Sequence, residues 1–95
     1  FRSTPRAIRN IESNGRYLWA RSPKGAVNVR AEIYSSLEHL LTFPTSGRKQ
    51  KTQGVRKLVT PRYGYMIYYT IDDAADEVVI ISVRHSSQRR EYRDQ

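Results

Sequence analysis

Arg84 and His85 stand side by side at the end of an apolar run, and a histidine next to a cation can give or take a proton near neutral pH. The plainer reading is a hydrogen-bonded residue at a strand end, and we prefer it. Ser86 and Ser87 follow directly, but no orienting acid or oxyanion loop accompanies them, so they do not make a nucleophile constellation. The second concentration of chemistry is positive charge. Arg48, Lys49, Lys51, Arg56, Lys57 and Arg62 occur without an intervening acid, whereas Asp72, Asp73, Asp76 and Glu77 crowd into one later stretch. A basic segment of this kind is either a footprint for phosphates, each of which releases counterions when neutralised, or a solvated loop. Tyr63, Tyr65, Tyr68 and Tyr69 could stack on bases or meet a protein partner, although their alternation assigns at least half of them to a core.

Composition narrows the possible chemistries. The 17 lysines and arginines against 9 acids give a net charge of +8, which favours nucleic acid, an acidic protein surface or anionic lipid as partner. The absence of cysteine removes disulfides, thiolate catalysis and thiolate metal sites. His39, beside Glu38, reads as an exposed helix residue, and two histidines are too sparse for a metal site, so neither metal nor cofactor is expected. No apolar run approaches the ~18–20 residues that span a bilayer, and the leading residues Phe1 to Pro5 lack an apolar signal core. The expected compartment is the cytoplasm, with no membrane contact.

Ninety-five residues suffice for one compact domain, with a net stability of about 5–10 kcal/mol to which a tight partner could add a large share. Thr4-Pro5 and Ser22-Pro23 each pair a capping hydroxyl with a proline at the first helical position, which predicts helices over about 5–21 and 23–43. Ile8, Ile11, Leu18 and Trp19 mark the apolar side of the first, with an irregularity expected at Asn14-Gly15. In the second, Ala26, Val29, Ile33, Leu37, Leu40 and Leu41 form one stripe, ended by Phe43-Pro44. Residues 45–53 read as a basic loop. After Gly54 the period falls to two, predicting strands over about 54–60, 64–71 and 77–84, the last two a hairpin, followed by a basic tail over 86–95. A short leading strand is also expected. The fold class is α+β: a two-layer domain in which an antiparallel helix hairpin packs on a small, mainly antiparallel sheet of three to four strands.

In this order the segments resemble the ParE/RelE superfamily of toxins over nearly the whole chain. The residues that carry the likeness are Thr4-Pro5-Arg6-Ala7, Phe43-Pro44 with Gly47-Arg48, Gly54-Val55-Arg56-Lys57-Leu58-Val59, Arg62-Tyr63 with Tyr65-Met66-Ile67-Tyr68-Tyr69, and Val79 to His85. The family's usual leading strand would lie largely before Phe1. The resemblance implies a type II toxin silenced by an acidic, ParD-like antitoxin. Tyr17, Leu18, Trp19 and Tyr34 are assigned to that antitoxin, with Tyr17, Leu18 and Trp19 expected to pack partly on the second helix.

Two branches of the superfamily imply different actions. The RelE-like branch cuts messenger RNA on the ribosome without a metal, using cations with a tyrosine or histidine. The resemblance offers Arg56, Arg84, His85 and Tyr92 as a partial set, but Met66 stands where that branch has an arginine and Ser86 where it has a cation or histidine. The ParE branch resembles the chain more closely and implies inhibition of DNA gyrase, which needs a presented surface and no acid–base pair. The surface expected for it comprises Arg48, Lys49, Lys51, Arg56, Lys57, Arg62, Arg84, Arg89 and Arg90, with no catalytic residue. A family member that binds only its antitoxin is a third alternative.

Overall fold

Thr4 and Ser22 act as the sequence predicts. In a computed structural model, which describes residues 1–85, the Thr4 hydroxyl accepts from the Ala7 amide at 3.1 Å and caps helix α1 (Pro5–Arg21). Ser22 closes α1, its amide bonding the Leu18 carbonyl, and its hydroxyl caps α2 (Pro23–Thr42) by accepting from the Gly25 amide at 3.1 Å. One extended residue thus ends one helix and starts the next. Phe43 closes α2 through the His39 carbonyl, ahead of Pro44, which cannot continue it.

The irregularity expected in α1 is not found: the helix runs unbroken through Gly15. Asn10 and Asn14 clamp it to the sheet by accepting from the Val83 amide and donating to the Val83 carbonyl. A Cβ built on Gly15 meets nothing within 4 Å. Gly15→Ala should therefore raise the unfolding free energy by about 1 kcal/mol, read as a higher urea midpoint at unchanged slope.

The sheet contains β1 (Arg2–Ser3), β2 (Arg48–Lys49), β3 (Val55–Val59), β4 (Tyr65–Asp72) and β5 (Glu77–His85), in the order β1-β5-β4-β3-β2. Among the described residues only β1 pairs in parallel, with Arg2 opposite Val79; the other pairings are antiparallel. The leading strand is present in two residues, and the β4–β5 hairpin turns through Asp76 at φ 54°. The fifth strand lies within residues 45–53, which the sequence assigns to a loop. Two residues display no period of alternation, and only their pairing with Lys57 and Arg56 reveals β2.

Ala7 of α1 and Val29, Ile33, Leu37 and Leu40 of α2 pack against Tyr65, Ile67 and Tyr69 of β4 and Val78, Ile80 and Val83 of β5. Both helices therefore cover one face of the sheet. The stripe expected on α2 holds except at Leu41, which is exposed. Among the described residues no helix is long and apolar enough to cross a membrane.

Candidate functional site

Alternation along the strands decides which basic side chains can act together. Paired residues share a face, and Tyr69 belongs to the core under the helices. Arg56 and Lys49, in register with Tyr69, therefore lie on the helix side. Lys57 is in register with Tyr68 and Ser82, Arg48 with Lys57, and Arg84 with Met66. Arg48, Lys57 and Arg84 thus share the face opposite the helices, around Met66, Tyr68 and Ser82, of which Tyr68 and Ser82 are buried.

The remaining members of the expected surface are dispersed. Lys51 lies in the β2–β3 turn. Arg62 lies in the β3–β4 turn, where Glu32 of α2 accepts from the amides of Arg62 and Tyr63. The nine-residue cationic surface therefore divides: Arg48, Lys57 and Arg84 share one face, with Arg84 two residues out of register with the other two, while Arg56 and Lys49 face the other way, because neighbours on a strand alternate. Arg89, Arg90 and Tyr92, with the rest of the basic tail, lie outside the described residues.

The three described members of the partial nuclease set, Arg56, Arg84 and His85, are not brought together. His85 is on the helix side, in register with Tyr65, and its ring meets the Tyr65 ring edge-on at 5.0 Å. Arg56 is on the same side but four residues along β4, opposite Tyr69, and Arg84 is on the other face. One Arg56 nitrogen donates to the Thr45 carbonyl at 3.1 Å and to the Gly47 carbonyl at 2.8 Å. Its guanidinium is bound to backbone rather than presented. Among the described residues no group of His, Asp or Glu is placed to hold a metal.

Sequence reasoning missed the Tyr69 hydroxyl. It accepts from the Gly47 amide at 2.8 Å and donates to the Pro44 carbonyl at 2.7 Å. Burial raises its pKa above the phenol value of 10.0, opposed by the Gly47 amide, the charge of Arg56 and the Ser46 side chain. Burial alone raises Tyr65 in the same direction. The local signal was Gly47 shortly after Pro44, a sign of close approach, but its partner is 22 residues away.

A second site lies between the helices. Leu18, Trp19 and Tyr34 line a groove of about 800 Å³, together with Ile8, Ile11 and Val27. Trp19 is 57% exposed and Tyr34 41%, whereas Leu18 packs on the core. The three residues expected to pack partly on the second helix divide, because consecutive helical residues point about 100° apart: Leu18 packs on the core, Trp19 lines the groove with an exposed remainder, and Tyr17 is exposed. Tyr17 is not part of the groove lining; its hydroxyl accepts from Arg21 at 2.9 Å and its ring lies under that guanidinium.

Comparison with known proteins adds what geometry alone does not. Residues 1–90 match the family described as "ParE toxin of type II toxin-antitoxin system, parDE". The protein Y4kP of Sinorhizobium fredii is 33% identical, over 93% of this chain and 88% of its own length. Toxin RelE3 of Caulobacter vibrioides is 35% identical over 90% of this chain and 92% of its own length. Among solved structures, the chromosomal ParDE system of P. aeruginosa superposes with a TM-score of 0.76 at 17% identity, covering 88% of this chain and 91% of that one. The intact E. coli RelBE toxin–antitoxin complex gives 0.65 at 21% identity, over 90% and 93%. At such identities the structural likeness speaks for the fold: two helices on a five-stranded sheet.

Proposed function

The chain belongs to the ParE toxin family of type II toxin–antitoxin systems, and from that premise we propose that it inhibits DNA gyrase through the sheet face opposite the helices and is silenced by an acidic antitoxin seated in the helix groove. A type II toxin has an antitoxin as its partner. The observation that carries the choice of target is the make-up of the sheet face opposite the helices, where Arg48 is exposed and Lys57, Met66 and Arg84 are half-buried. Arg48, Lys57 and Arg84 border it, but Met66, rather than a cation, stands between Val59 and Arg84. Messenger RNA cleavage needs a proton acceptor, a proton donor and cations converging on one phosphate. The four residues offered for it are divided between two faces and, for Tyr92, lie outside the described chain. Binding and trapping a protein–DNA intermediate needs only a shaped cationic surface, and a net charge of +8 suits a target that carries phosphates.

The same charge favours rapid association with an acidic antitoxin, while the apolar groove wall would supply most of the affinity. The expected result is that purified chain lowers gyrase supercoiling and raises cleavage-complex levels at stoichiometric ratios. Primer extension on messenger RNA after brief induction should show no new ends within codons. Unchanged supercoiling at saturating ratios would rule the gyrase target out, and codon-phased ends would move the chain to the ribonuclease branch.

A further inference from the structure

The basic segment that forms β2, β3 and the turn between them is short and mostly exposed, yet three attachments, the first of them buried, fix its shape. The Tyr69 hydroxyl lies at the centre of the first. Its ring is fully buried in the core, and its oxygen bridges the Pro44 carbonyl and the Gly47 amide, just before β2 begins. Arg56, in register with Tyr69, makes the second by donating to the carbonyls of Thr45 and Gly47. Gln50 supplies the third: its amide bonds the Val55 carbonyl at 2.9 Å across the hairpin and its side chain donates to the Arg48 carbonyl at 2.8 Å. Backbone groups of residues 44–47, which neither helix nor sheet ladder satisfies, are thereby paired with side chains rooted in β3 and β4.

We infer that Tyr69 and Arg56 are positioning residues that staple the connection after α2 onto the sheet and so hold Arg48 and Lys57 in one row for the target, without touching it. The assignment rests on the reading of the opposite face as the target surface. Arg56 differs in kind from Lys57, its neighbour. Lys57, half-buried, stands on the face opposite the helices; Arg56 donates to backbone carbonyls on the other. A lysine in place of Arg56 would keep the charge, but its ammonium sits on a flexible stem and lacks the rigid guanidinium plane that aims one nitrogen at both carbonyls. Phenylalanine in place of Tyr69 would keep the buried ring and remove both hydroxyl bonds.

The test uses the full chain and two readouts. Limited trypsin digestion of Tyr69→Phe should cut after Arg48, Lys49 and Lys51 about tenfold faster than the parent, while cutting after Arg30 in α2 changes little, since local opening and not global unfolding is relieved. Arg56→Lys should show the same selective exposure and weaken gyrase inhibition about tenfold despite its retained charge. Equal acceleration at Arg30 would mean that Tyr69 only stabilises the core, and would overturn the staple. Full inhibition by Arg56→Lys would overturn it as well, because charge alone would then suffice. If the parent chain leaves gyrase untouched, the proposed target fails, while the cleavage pattern still decides whether the staple exists.

Discussion

Replacing Trp19 and Tyr34 together with alanine should weaken the hold on the antitoxin by about a hundredfold to a thousandfold, as buried aromatic anchors carry a disproportionate share of interface energy. Both rings line the groove and keep roughly half their surface open to solvent in the free chain. An aromatic side chain buries about 150–250 Å² when fully covered, so each ring has on the order of 100 Å² left to lose, or about 2.5 kcal/mol at the usual apolar coefficient. Overlap of the two contributions brings the pair to about 3–4 kcal/mol, which is the stated loss in affinity. Because neither ring is in the core, the melting temperature of the free chain should barely move. Tyr17→Ala is the control: Tyr17 lies outside the groove lining and is engaged by Arg21, so the loss should stay below about tenfold for a residue at the rim. Titration calorimetry of the co-purified pair after separation would read all three. Equal losses for Tyr17 and the double variant would place the antitoxin elsewhere on the hairpin.

How much of this could be read from the sequence depends on the reach of each signal. The helix starts were legible because Thr4-Pro5 and Ser22-Pro23 act within one turn, and the switch from helix to sheet at Gly54 showed as a change of period. The groove was half legible. Tyr17, Leu18 and Trp19 look like one apolar patch in a string, but a helix distributes three consecutive residues around its axis, and only Leu18 reaches the core. The cationic segment misled in the same way. Arg56 and Lys57 are adjacent in sequence and opposite in space, so a run of charges on a strand must be divided by two before it is taken as a surface. The two-residue strand β2 and the clamps from Glu32, Asn10 and Asn14 lay beyond local reading, since each is defined by a partner 7 to 73 residues away.

Gly47→Ala is expected to be among the costliest single-methyl additions in the chain, at about 2–4 kcal/mol of stability, the range of overpacking against groups that cannot move. A Cβ at this position would come within 2.7 Å of Tyr69 Cε1 and 2.9 Å of Cζ, and closer still to the hydroxyl oxygen. A flexible neighbour could yield, but the Tyr69 ring is fully buried and its hydroxyl is bound to the Pro44 carbonyl. The backbone would have to move instead, and the Gly47 amide would leave the oxygen that satisfies it. Glycine is therefore needed here for space. Chemical denaturation followed by far-ultraviolet circular dichroism would measure the loss. Combining Gly47→Ala with Tyr69→Phe separates the two causes: the oxygen is gone, but the ring carbons still crowd the new methyl. The double variant should thus fall short of the summed single effects by about 0.5–2 kcal/mol, as expected for residues in direct contact. Strict additivity would mean that Gly47 and Tyr69 do not share a contact, and the attachment of the basic hairpin to the sheet would lose its physical basis.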